Sequence, residues 1–424
     1  MLRRDDPAAV NIRAVAIAVR GSAALLVAAL LGWQLLGLTV SMQRLHGDPA
    51  AAHAWAPQSA AAAADRAQQR FDAGDTVAAT KLARAALIDS PLAADAYRVL
   101  AEVALKSGAS AAAEARLRIA ARLDPRDAAT QAWLAAAALR EGRLEPALWH
   151  LDAILRVHPT FGARLYPQLL ALARAPGAAP AYRAVFAAHP PWGGDFFRWA
   201  CAQPAAADAS VQALFAALRA LPGALDAADW SAYLDRLIGQ QRWLPAYLAW
   251  VESLPPAQQR HLDNIFDGDF RYPPGGNGFD WRISYVPGVE IAVVPRAAAT
   301  GNALQVRFLG QRAPLWGQVA QLLVLAPGRY RVSGQARLHD LQNDRGLQWV
   351  LSCADNGRQL GASARLRGNM PWRGFAFDVA VPAQGCGAQW LSLRLAWRIP
   401  AEQWADGRAE FTDLRAVRLA AGRD

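Results

Sequence analysis

The sequence predicts a multidomain α + β protein with a transmembrane helix, then an α-solenoid of helix pairs, then an antiparallel β-sandwich. Three observations predict it. Residues 21–42 are an uncharged apolar run. Between residues 60 and 159, small residues and prolines recur every 34 positions. After Pro256, alanine-rich periodicity gives way to short alternating runs separated by Gly and Pro turns. A chain of 424 residues also exceeds what one core organises, so several domains are expected.

The first element is Gly21–Met42. About 20 apolar residues at ~1.5 Å rise span a hydrocarbon core. Arg3, Arg4, Arg13 and Arg20 precede it and only Arg44 closely follows. The positive-inside rule then makes residues 1–20 cytoplasmic and the rest of the chain periplasmic. The run is long and ends well before the small-residue site Ala52-His53-Ala54, which favours an uncleaved anchor over a signal peptide. The expected localisation is a single-pass protein of a bacterial inner membrane. Residues 43–59 read as a linker.

The second element, residues 60–259, reads as a helical array. Gly74, Gly108 and Gly142 share the 34-residue spacing, as do Ala79, Ala113 and Ala147, and Pro91, Pro125 and Pro159. Glycine tolerates the positive φ of a tight helix–helix turn. Alanine lets two helices approach, and proline ends the second helix of each unit. These positions, with Tyr97, Leu100, Ala101 and Ala120, resemble the tetratricopeptide repeat (TPR); the first helix of repeat one departs from it at Arg66, Ala67 and Arg70. The resemblance implies a scaffold that offers a groove to a protein partner. Trp230, Tyr233, Leu234, Leu237, Ala246 and Trp250 read as one more, degenerate unit.

The third element, residues 260–424, reads as a sandwich with strands near Ala303–Phe308, Tyr330–Leu338, Leu347–Cys353, Phe375–Val381 and Trp390–Trp397. Asn264–Phe270 with Phe279-Asp280-Trp281, Leu325–Val332, and Glu410–Arg415 resemble the opening, "pG-x-Y-x-v" and closing strands of jelly-roll carbohydrate-binding modules with the galactose-binding-like fold. In that class carboxylates of the first and last strands often hold a structural calcium. The resemblance implies Asp267, Asp269 and Asp413 for that role, against the plainer reading of turn and cap residues. No other cofactor is expected. Trp349 and Trp390 lie in strand runs and read as core. Trp316 and Trp372, beside Pro314 and Pro371, are the candidates for stacking on sugar. Cys353 and Cys386 are this domain's only cysteines and read as a disulfide in an oxidising compartment, or otherwise as two buried thiols.

The formal net charge of +10 is carried mainly by arginines scattered singly, which reads as solvated helix faces rather than a nucleic-acid surface. No H-E-x-x-H, G-x-S-x-G, Walker or Rossmann pattern occurs, and Glu290, Asp340 and Asp344 have no motif around them. The expected function is therefore non-catalytic: a scaffold or accessory factor in assembly or export of a cell-surface polysaccharide. Two alternatives stay open, an envelope protein-assembly factor that holds a protein client in the TPR groove, and a glycan-cleaving enzyme with unrecognised carboxylates.

Overall fold

The computed structural model describes residues 48–56, 59–296 and 301–420. The Gly21–Met42 segment and residues 1–20 lie outside the described residues. The expectation of a single-pass inner-membrane protein is corrected. A spanning helix needs about 20 residues, and among the described residues no helix is long and apolar enough to cross a membrane. Within the expected linker, Pro49–Trp55 is a short helix.

The chain divides into two compact units. One runs to Phe196 and includes Ala205–Ala224; the other comprises Phe197–Pro204 and everything from Leu225. The division falls inside the helical region.

In the first unit, Ala60–Asp72 pairs with Thr76–Asp89, Ala94–Lys106 with Ser110–Leu123, and Ala128–Arg140 with Leu144–Val157. Each pair turns at one of the spaced glycines, whose φ values are +85° at Gly74, +80° at Gly108 and +70° at Gly142. The hydrogen bonds give the reason. Gly74 N–H donates to Phe71 O and Asp75 N–H to Arg70 O, both at 2.9 Å. Gly108 and Ala109, and Gly142 and Arg143, repeat the two bonds. This is the Schellman closure, which requires a left-handed residue at that position. No atom lies within 4 Å of where a Cβ would stand, so dihedral strain alone selects glycine. Asp75 then caps the next helix by accepting from Ala78 N–H. Ala79, Ala113 and Ala147 are fully buried where the helices meet. The spacing fades at Pro159, which opens a 3-10 turn into the Gly162–Leu172 helix instead of a loop. Farther on, Trp192 Nε1 and Arg156 both donate to the buried Asp152 carboxylate.

The second unit joins the Ala227–Gly239 and Trp243–Ser253 helices to the sandwich. The first helix opens with a reciprocal capping box between Asp226 and Asp229. Trp250, 1 % exposed, packs edge-on against Phe266 and beside Phe279. Trp243 Nε1 donates to Asp355 at 2.8 Å. The sequence reads Trp250 as part of a helical repeat, yet its ring partners include Phe266 and Phe279.

The sandwich strands are β1 (Arg282–Ile283), β2 (Val289–Pro295), β3 (Asn302–Arg312), β4 (Val319–Leu323), β5 (Gly328–Gln342), β6 (Leu347–Cys353), β7 (Gln359–Ala362), β8 (Gly368–Val381), β9 (Gln389–Leu395) and β10 (Trp404–Arg418). They form two antiparallel sheets, in the orders β1-β4-β9-β6-β7 and β2-β3-β10-β5-β8. Alternate residues of β5, such as Tyr330, Val332, Ala336 and Leu338, enter the core. At the centre Trp349 stacks edge-on between Trp281 and Phe411. Asn264–Phe270, expected as an opening strand, is a turn, with Asp267 at φ +49° and Phe270 at φ +51°.

Candidate functional site: a groove on the outer face of one sheet

On β9, Leu391, Leu393 and Leu395 point into the core, so Trp390, Ser392 and Arg394 face outward. On the adjacent β6, Ser352 shares that face, and β1 contributes Arg282. With Ser284 and Trp316 they line an open groove of ≈ 530 Å³. The Arg394 guanidinium lies over the Trp316 ring at 4.9 Å, and the Arg282 guanidinium over the Trp390 ring at 5.0 Å. Trp397 braces Trp316 edge-on at 5.7 Å. Arg394 Nε donates to Ser392 Oγ at 2.8 Å and its Nη2 to Ser352 Oγ at 3.3 Å. Arg282 Nη2 donates to Gly278 O at 3.1 Å. Burial lowers the pKa of both guanidinium groups, against the opposing charge of Asp235 at Arg282. Cation–π stacking and serine hydroxyls therefore hold two cations in fixed planes.

Trp316 is 50 % exposed and sits in this groove. Trp372 does not share it. It lies on β8 of the opposite sheet, half-buried, with guanidinium groups of Arg296 and Arg337 at 4.9 and 5.2 Å from its ring centre. The two stacking candidates therefore lie on different sheets, and Trp372 carries two guanidinium groups near its ring where Trp316 carries one. Trp390, expected in the core, is half-buried on the groove side. The alternation of β9 carried that signal, since a tryptophan out of phase with three leucines must face outward.

Asp267, Asp269 and Asp413 do line one depression, of ≈ 300 Å³. Each is already engaged by protein groups. Asp269 pairs with Arg271 at 2.8 Å; Asp413 accepts from Gln335 and lies 3.8 Å from Arg296. Asp267 accepts main-chain N–H bonds from Arg271 and Tyr272 at 2.8 and 3.0 Å. Among the described residues no group of three such side chains is placed to hold a metal ion.

Burial pushes the Asp267 pKa up to about 6, against the lowering effect of those two N–H bonds. The unfolded chain ionises there near 3.8. Between these values the folded state holds the extra proton, so stability falls as pH rises through that window. Relative to Asp267→Asn, the wild type is expected to lose up to about 3 kcal/mol between pH 4 and pH 7. Carboxyl-carbon NMR checks the midpoint directly, and titration near 4 would refute the assignment.

Cys353 and Cys386 are bonded, with Cα atoms 5.0 Å apart, and Cys353 is among the residues around the groove.

No protein-family model and no curated protein matches the chain. Solved structures similar to part of it include carbohydrate-binding modules. A CBM4 module matches at 14 % identity and a TM-score of 0.27, covering 37 % of this chain and 99 % of that one. The xylan-binding CBM22-1 domain of Paenibacillus barcinonensis Xyn10C matches at 16 % identity and a TM-score of 0.25, over 34 % and 87 %. TmCBM61, solved with β-1,4-galactotriose, matches at 16 % identity and a TM-score of 0.23, over 33 % and 88 %.

Proposed function

We propose that this chain is a non-catalytic glycan-binding scaffold. The sandwich binds a polysaccharide along the groove, and the helical repeats, read as TPR-like, offer a surface to a protein partner. A role in assembling or exporting a cell-surface polysaccharide follows from joining those two activities in one chain. The groove carries this reading. It presents a half-exposed indole braced from behind, a row of hydroxyls, and guanidinium donors at fixed positions. An indole face suits the apolar side of a sugar ring, and the donors suit its oxygens. No carboxylate is among the described lining residues. Glycoside hydrolysis ordinarily needs two flanking the scissile bond, which supports binding without cleavage. On the repeats, Val77 and Ile88, three turns apart on one helix, are 81 % and 82 % exposed, which supports a protein-facing surface.

Calorimetry of the full chain against neutral and acidic oligosaccharides tests the reading. Trp316→Ala is expected to weaken binding roughly tenfold, about 1.4 kcal/mol, while Trp372→Ala leaves it unchanged. Absence of binding heat with every glycan, or release of new reducing ends during incubation, contradicts it.

A further inference from the structure

Resting on that reading of the groove, we infer that its ligand is an acidic polysaccharide whose uronate carboxylates are held by Arg282 and Arg394. The inference comes from how this sandwich treats its arginines. Among the described residues from 260 onward, six arginines are half-buried: Arg282, Arg296, Arg337, Arg345, Arg394 and Arg408. Four lie against a carboxylate. Arg296 faces Asp413, Arg337 and Arg408 share Glu410, and Arg345 meets Glu402. The two exceptions are Arg282 and Arg394, and both line the groove.

A guanidinium withdrawn from water without a counter-ion is costly, and a buried cation ordinarily acquires a partner. Here the hydrogen-bond partners are neutral, and Asp235 acts on Arg282 through space without an ion pair. Arg394 has two serine hydroxyls, and Arg282 has one carbonyl, with its Nε buried and unbonded. A guanidinium carries five N–H donors, so most of their capacity is unused. Each is also held flat against an indole, which fixes the plane in which those donors point. A fixed planar fork matches a carboxylate in two-point contact, and it matches a neutral hydroxyl less well. The net charge of +10 adds long-range attraction for a polyanion. The bound sugar ring lies against Trp316, the more exposed of the two indoles, and Trp390 serves as the platform under Arg282.

The test is calorimetry of the full chain with galacturonate, mannuronate and glucuronate hexamers, each beside its carboxyl-reduced counterpart. The expected result is that at least one carboxylated hexamer binds tenfold or more tightly than its reduced form. The difference should shrink as salt rises from 50 to 500 mM. Arg394→Gln and Arg282→Gln are expected each to remove most of that preference, and Arg394→Lys to restore part of it. A circular-dichroism melt within 3 °C of wild type shows that a variant is folded. Equal binding of the acidic and reduced forms overturns the inference and leaves the glycan reading standing. Failure of all six ligands overturns the inference, and absence of heat from the neutral oligosaccharides as well overturns the glycan reading with it. Binding of a single-stranded oligonucleotide as tightly as the best hexamer, with loss of both in Arg394→Gln, assigns the groove to another polyanion and overturns the inference too.

Discussion

Opening the Cys353–Cys386 bridge is expected to cost the folded protein about 4 kcal/mol and roughly 10 °C of Tm. The cysteines are 33 residues apart in sequence, and the loop they close includes β7 and β8. Freeing that loop in the unfolded chain restores the entropy that sets this figure. Both cysteines are buried, at the end of β6 and just before β9, so the bridge ties two hydrogen-bonded neighbours of one sheet. The double variant Cys353→Ala/Cys386→Ala, compared with wild type by denaturant unfolding, measures the cost. Thiol labelling supplies the control. Burial pushes the pKa of Cys201, the one free cysteine among the described residues, up to about 12, so it should stay unreactive in the native state. A loss below 1 kcal/mol would show the sheet registered without its bridge.

Gly268→Ala is expected to destabilise the sandwich by about 3 kcal/mol or more. A Cβ at this position would stand 2.0 Å from the carbonyl oxygen of Leu414. That oxygen belongs to β10 and cannot swing away like a side-chain end. Leu414 N–H also donates to Gly268 O at 3.0 Å, so the two backbones are already locked together. Alanine must separate them and break that bond. The control is Gly276→Ala, where a Cβ meets nothing within 4 Å and only the φ of +75° opposes substitution. Comparable losses at the two positions would refute the close-approach argument.

The Gly268 result bears on what the sequence could show. The Asp267-Gly268-Asp269 segment was legible as a special place, but its carboxylates drew the metal reading. The role of Gly268 depends on Leu414, which is 146 positions away in sequence. Arg271 and Arg296, which neutralise Asp269 and Asp413, carry no pattern either. The 34-residue spacing was legible because its cause is local, since every bond of the turn closure spans five residues or fewer. Parts of β3, β5, β6, β8 and β9 followed from alternation, and part of β10 from the resemblance of Glu410–Arg415 to a closing strand. β4 did not, because all five of its residues are buried and a continuous run has no period to read. The groove was half legible. Trp316 announced itself beside a proline, whereas Arg282, Ser352, Trp390 and Arg394 meet only once β1, β6 and β9 lie in one sheet. Trp250 read as repeat core because its partners Phe266 and Phe279 lie beyond the apparent end of the helices.

The central claim is that the outer face of the β1-β4-β9-β6-β7 sheet binds glycan and the opposite sheet does not. Fluorine NMR of the full chain labelled with 5-fluorotryptophan tests it most directly. Single Trp→Phe variants assign the Trp316, Trp390 and Trp372 resonances. On titration with an acidic hexamer, Trp316 and Trp390 are expected to shift in a saturable way while Trp372, on the opposite sheet beside Arg296 and Arg337, stays still. Saturable movement of Trp372 with Trp316 and Trp390 unchanged would contradict the account.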